Sequence, residues 1–340
     1  MTSAPSPAEL ALPILDEALA ERLRGRMAVV EEALYGHASS RAPYVTEAAR
    51  HLLAAGGKRF RPLLVLLAAE AGPRPDADEV LTAACVVEIT HVGSLYHDDV
   101  MDEAALRRGE DSANARYDNL VAILTGDWLF AKSSELTSRL GPEAVRIQAE
   151  TFTRLVEGQI LETVKPGADE DALAHYLEVV AGKTGSLIAT SAHYGALFAG
   201  AAPEVVTALT AYGELVGTAF QLSDDILDIA SESEESGKTP GTDLKEGVPT
   251  LPVLIARAST DPADARLLEL LDPERSDLAG DADLHAEALD LLRKHPAMAE
   301  AQAYVVARAQ EAKRLLEVLP EGSVRTALEA FADVVAVRSA

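Results

Sequence analysis

The sequence holds a single cysteine, Cys85, so it has neither an internal disulfide framework nor a cysteine-based zinc site. That thiol lies in an apolar stretch and reads as a core residue of a protein kept in a reducing compartment. No apolar run approaches the ~20 residues that span a bilayer, and MTSAPSPAEL lacks a basic segment followed by an apolar one. The expectation is a cytoplasmic protein with at most transient membrane contact. Basic residues are scarce, 30 Lys and Arg against 55 Asp and Glu, for a formal net charge of -25. Nucleic acid is therefore excluded as a partner, because phosphate backbones are bound by clustered cations. An anionic ligand must be met by local basic residues or by bound metal, against the protein's own field. Aromatics are only 4% of the chain, and sustained strand-like alternation is missing.

What is present is alanine and leucine, with apolar residues at three- and four-residue spacing and 48% hydrophobic content overall. This pattern predicts helices over 8–37, 43–55, 61–71, 76–103, 114–139, 142–164, 170–199, 203–231, 248–259, 262–271, 284–293, 297–318 and 322–338. The class is all-α. Glycine and proline breaks separate the helices, none resembles an interdomain linker, and no short repeat occurs. The expected organisation is one domain over 1–340, with residues 1–6 disordered.

In HDDVMDEAALRRG, Asp98 and Asp102 are four apart and share a helix face, with Asp99 beside them. Three carboxylates so close repel unless cations neutralise them, and hard oxygen ligands suit magnesium. One such motif alone reads equally well as a solvated helix end. QLSDDILD repeats the spacing at Asp224, Asp225 and Asp228, again after an apolar helix. Magnesium is usually held by one or two carboxylates plus substrate phosphates, so two clusters imply a phosphate-bearing substrate.

The basic partners are local. GGKRFRP sets Lys58, Arg59 and Arg61 after a Gly-Gly turn at a helix start, where amides and dipole favour anions. Arg107 and Arg108 follow the first acidic cluster, and arginine forks match phosphate oxygens. AGKTGS at 181–186 fails as a phosphate loop, since Leu177 stands where the leading glycine belongs and no strand precedes it. Gly182 and Gly185 suggest instead a helix kink that exposes Lys183 and Thr184. The segment SGKTPGTDLKEGVP has the composition of a mobile lid bearing Lys238. His91 lies seven residues before Asp98, near the same face, where it reads either as a phosphate donor or as a core histidine.

Together GGKRFRP, HDDVMDEAALRRG, GKTGSL, FQLSDDILD and GKTPGTDLKEGVPTLP, in this order, resemble the trans-prenyl diphosphate synthases over roughly residues 20–335. The resemblance implies a single antiparallel helical bundle around a central cavity, a homodimer, and two aspartate motifs facing across the cavity. It implies that Lys58, Arg61, His91 and Arg108 bind isopentenyl diphosphate. Arg107, Lys183, Thr184, Gln221 and Lys238 would contact the allylic diphosphate. Asp98, Asp102 and Asp224 would be the direct ligands among three magnesium ions, with Asp99, Asp225 and Asp228 supporting them. Thr242 and Val248 depart from the family, which commonly carries lysine at both positions. In the family a bulky residue before the first motif acts as a floor for the product. Here Gly93 and Ser94 leave that helix open, with Thr90 and Val87 deeper, Val87 roughly 16 Å below Asp98. A product longer than farnesyl, C20 or longer and in the favoured range C30–C45, is expected, unless Gly93 serves helix packing and the floor comes from 120–138. A terpene cyclase would not need GGKRFRP, and a non-catalytic regulatory subunit would have lost one acidic cluster.

Overall fold

The computed structural model describes residues 14–167, 169–231 and 240–337; the expectations for residues 1–6 and for Lys238 fall outside them. Among the described residues the chain is helical apart from one short hairpin. Residues 14–16 are not helical, so the first helix, α1 (Glu17–His37), starts where the Asp16 carboxylate accepts the Leu19 amide at 2.9 Å. Next come α2 (Pro43–Ala54), α3 (Phe60–Ala69) and α4 (Asp78–Met101). The helix expected over 114–139 is two helices, α5 (Ala113–Tyr117) and α6 (Asn119–Arg139). The break is Asp118, whose φ of 79° leaves the helical region and whose carboxylate caps α6 through the Val121 amide. The rest are α7 (Pro142–Glu162), α8 (Ala172–Val180), α9 (Ser186–Phe198), α10 (Pro203–Ala230), α11 (Thr242–Glu246), α12 (Leu251–Arg257), α13 (Ala265–Leu270), α14 (Ala282–Lys294), α15 (Pro296–Leu315) and α16 (Ser323–Val337).

By internal packing the chain forms two compact units. The first comprises the described parts of Met1–Thr153 with Leu187–Gly213 and Leu315–Ala330. Its centre is α4, which is buried without interruption from Ala83 to Thr90 and is wrapped by α1, α2, α3, α5 and α6. A segment buried on every face lies inside the core, which is why the amphipathic signal vanishes there. Elsewhere in this unit α9 meets α3 so closely that a methyl group on Gly195 would lie 2.2 Å from the Val65 carbonyl oxygen.

The second unit comprises Arg154–Ser186, Glu214–Arg314 and the described part of Phe331–Ala340. There α11, α12 and α13 pack on α14, and α12 also packs on α8. Its core joins Ile229, Leu244, Val253, Leu267, Leu289 and Leu292.

Two alanine substitutions test this packing in opposite directions. Gly195→Ala should cost about 2 kcal/mol by overpacking against rigid backbone. Gly25→Ala, on an exposed face of α1 with nothing within 4 Å, should gain up to about 1 kcal/mol from helix propensity. Denaturant unfolding of the two variants checks both signs.

Candidate active site

In the first unit, α4 delivers the three leading aspartates into different environments. Asp98 is half-buried, Asp102 is the exposed C-cap, and Asp99 is fully buried. One oxygen of Asp99 accepts Arg107 Nε at 2.6 Å and the other accepts the Ala113 amide at 2.7 Å. Arg107 Nη2 also stands 3.6 Å from Asp102. The middle carboxylate therefore faces into the protein, while Asp98 and Asp102 sit nearer solvent.

Arg107 reaches Asp99 because residues 106–111 form a hairpin that sequence periodicity did not reveal. β1 (Leu106–Arg107) pairs antiparallel with β2 (Glu110–Asp111), and Arg108 and Gly109 both have positive φ, 56° and 82°. Two positive-φ residues between paired strands make the tight turn whose twist matches a hairpin. The signal was an Arg-Gly pair, weaker than the Asn-Gly that usually marks such turns.

That turn carries Arg108 to the GGKRFRP loop, where its Nη1 donates to the Leu52 carbonyl at 3.3 Å and to that of Gly56. Arg61, at the start of α3, has its Nε sealed from solvent with no hydrogen-bond partner among the described residues. Burial pushes the Arg61 guanidinium down to about 10, so it stays charged at neutral pH. His91 of α4 is held well below the usual histidine range, first by burial and then by Arg61 and Arg108, and is a neutral donor. Lys58 is exposed, its ammonium 5.9 Å from the Phe60 ring. Arg59, read from sequence as a third pocket cation, turns inward to Glu31 and Glu88.

At the open position of α4, Phe130 from α6 fills the space beside Gly93, where a methyl group would stand 3.1 Å from the ring. Phe130 in turn packs on Phe152 and His97, with ring centroids 4.6 and 5.4 Å away. Gly93 is thus a packing residue, buried against α6, rather than an opening. Ser94 stays half-buried, and deeper down the Thr90 hydroxyl is tied to Ser133 at 2.7 Å and Gln148 at 2.8 Å.

In the second unit, the expected kink is a π-helical turn, Ala181–Gly185, between α8 and α9. An extra residue in a helical turn is typical of functional sites. Here it buries Thr184, whose hydroxyl donates to Gln221 at 3.0 Å, and leaves Lys183 bonded to Glu162 at 2.6 Å. Gln221 then donates to Asp225 at 2.8 Å, and the Tyr176 hydroxyl donates to the other Asp225 oxygen. Asp225 is 6% exposed, and burial pushes its carboxyl up to about 7. Asp228 accepts the Thr242 and Asp243 amides at 3.3 and 3.1 Å, anchoring the first turn of α11. Asp224 is half-buried. Tyr176, Glu162 and Glu88 belong to these networks, yet lone aromatic and acidic residues gave no sequence signal.

Among the described residues no three His, Cys, Asp or Glu side chains converge to hold a metal alone. Asp99 and Asp225 are each bonded through both oxygens to protein donors, which leaves few carboxylates per ion. Sparse, hard oxygen donors fit a cation such as magnesium that completes its shell with phosphates and water.

The polyprenyl synthetase family pattern matches residues 42–289. The chain belongs to the polyprenyl synthetase family. A nonaprenyl diphosphate synthase of Mycobacterium tuberculosis is 48% identical over 318 residues, 94% of each chain. A dimethylallyltranstransferase of the same organism is 43% identical over 283 residues, 83% of this chain and 85% of the relative. A crystal structure of geranylgeranyl pyrophosphate synthase from Corynebacterium glutamicum, complexed with calcium and isoprenyl diphosphate, superposes with a TM-score of 0.86. It is 44% identical and covers 96% of this chain and 99% of its own. This polyprenyl synthetase is accordingly a prenyl transferase with the all-α isoprenoid synthase fold.

Two variants separate the aspartates of α4. Asp99→Ala strands Arg107 and should cost about 3 kcal/mol of stability, whereas Asp98→Ala should abolish turnover with a much smaller effect on unfolding. Melting curves with an elongation assay check both. The Asp225 carboxyl gives a pH test. Folded, it keeps its proton up to about 7, while unfolded it loses it near its ordinary value of 3.8. The folded state holds the extra proton between those values, so stability from this group falls as pH rises through that window. Asp225→Asn should therefore flatten the decline in melting temperature of metal-free protein between pH 4 and 7.

Proposed function

We propose that the enzyme condenses isopentenyl diphosphate with an allylic prenyl diphosphate, head to tail and in trans, releasing diphosphate and a longer polyprenyl diphosphate. The observation that carries this reading is Arg61, a half-buried cation beside Arg108 and His91 whose Nε is sealed from solvent with no partner among the described residues, in a chain of net charge -25. An Nε–H sealed from water without a partner carries a cost that an incoming anion repays. Lys58, Arg61, His91 and Arg108 retain isopentenyl diphosphate. Asp98, Asp102 and Asp224 would hold magnesium, three ions in all, and Asp99, Asp225 and Asp228 would keep those ligands in place. When bound, magnesium neutralises the departing diphosphate and so makes ionisation of the allylic carbon–oxygen bond feasible. Lys183, Thr184 and Gln221 orient the allylic diphosphate, with Arg107 beside Asp102 and Lys238 from the following segment. With no side-chain base assigned, the released diphosphate takes the final proton.

The product exceeds C20 and falls in the C30–C45 range, a reading supported by the absence of a bulky side chain at Gly93 and Ser94 and by the similarity to a nonaprenyl synthase. The enzyme works as a homodimer through the face of α6 bearing Leu120, Ile123 and Leu124, which are 66%, 42% and 57% exposed at helical spacing. It acts in the cytoplasm, and among the described residues no helix is long and apolar enough to cross a membrane.

Purified protein given magnesium, labelled isopentenyl diphosphate and primers of C5, C10, C15 or C20 should yield products longer than C20. No elongation from any primer would defeat the proposed reaction, and a predominant product of C20 or shorter would defeat the length assignment.

A further inference from the structure

Between Lys58 and Arg61 stands a cation with a different task. Arg59 is 7% exposed, and its guanidinium is spent entirely on the protein. Nε donates to Glu31 of α1 at 2.6 Å, Nη1 to Glu88 of α4 at 2.8 Å, and Nη2 to the Leu53 carbonyl at 3.0 Å. Its backbone is left-handed, with φ 49° and ψ 36°, at the N-cap of α3. Residues with a Cβ seldom hold that conformation unless their surroundings impose it. The reversal is what lets Arg59 point inward while Lys58 remains exposed.

Glu88 gives the arrangement its direction. It is 2% exposed, so its charge is tolerable only with a cation against it, and Arg59 is the cation that meets it at ion-pair distance. Glu88 lies three residues before His91 on α4, on the same helix face, and one helix carries Glu88, His91 and Asp98. A rigid planar fork thus ties the loop of Lys58 and Arg61 to the helix that presents His91.

Resting on the diphosphate pocket argued above, we infer that Arg59 is a positioning residue. Through Glu88 and Glu31 it fixes Lys58 and Arg61 in register with His91, and so sets affinity for isopentenyl diphosphate without touching it.

The test is steady-state kinetics of Arg59→Lys, Glu88→Gln and Glu31→Gln with both substrates varied at saturating magnesium. Equilibrium dialysis of labelled isopentenyl diphosphate without primer runs beside it. Displacing a pocket's outer support typically weakens function about 10–100-fold. KM and Kd for isopentenyl diphosphate should rise by that factor, while kcat and the allylic KM stay within about threefold. A clamp that merely stabilises the fold would instead lower melting temperature and kcat together and leave both KM values alone; that result overturns the inference. An equal rise in both KM values overturns it too. Should the buried variants fail to fold, Glu31→Gln decides, because Glu31 is only half-buried and its loss spares the Glu88 pair. A wild-type protein that binds isopentenyl diphosphate but never elongates refutes the proposed reaction, while the dialysis still reads the clamp.

Discussion

Carboxylates placed side by side on apolar helices repel, and each cluster meets this by turning its middle member into the protein. Asp99 is bonded to Arg107 and the Ala113 amide, and Asp225 to Tyr176 and Gln221. An inward carboxylate with both oxygens occupied is a fixed strut, and it holds the helix end rotated so that its neighbours point elsewhere. The hairpin exists to bring Arg107 back to Asp99, and the π-turn sets Thr184 on Gln221. Asp228 does the same for the backbone that follows, gathering the Thr242 and Asp243 amides.

The cations obey the complementary rule. In a protein with nearly twice as many acids as bases, a buried arginine is normally neutralised, and Arg59 is, by Glu31 and Glu88. Arg61, two residues away, is half-buried, and its sealed Nε has no partner among the described residues. On the proposed function, that contrast within one loop marks Arg61 as a member of the anion site. The proposed reaction divides the labour accordingly, with the departing diphosphate handled through metal and the retained one held by side chains.

Much of the fold and of the site was legible in the sequence, because helical period, helix breakers and motif order are local signals. The helix kink at Gly182 and Gly185 was legible as an irregularity, though its form, a π-turn, depends on Gly182 meeting the backbone of Arg154 and Gly158. What escaped depends on contacts between residues far apart in the chain. Nothing local distinguishes Arg59, which pairs with Glu31 and Glu88, from Arg61, whose Nε has no partner among the described residues. Nor does Gly93 announce that Phe130, thirty-seven residues later, fills the space a side chain would have taken. Tyr176 acquires its role only because Asp225 is buried against it.

The division between metal-held and side-chain-held diphosphate is most directly tested by equilibrium binding with and without magnesium. Isopentenyl diphosphate and a non-ionising thio analogue of an allylic diphosphate are titrated separately into protein treated with EDTA and then into magnesium-loaded protein. The account predicts that isopentenyl diphosphate binds in both conditions and loses affinity in Arg61→Ala, while the allylic analogue binds tightly only with magnesium. Magnesium-independent binding of the allylic analogue, or isopentenyl diphosphate affinity that vanishes with EDTA and ignores Arg61, would contradict it.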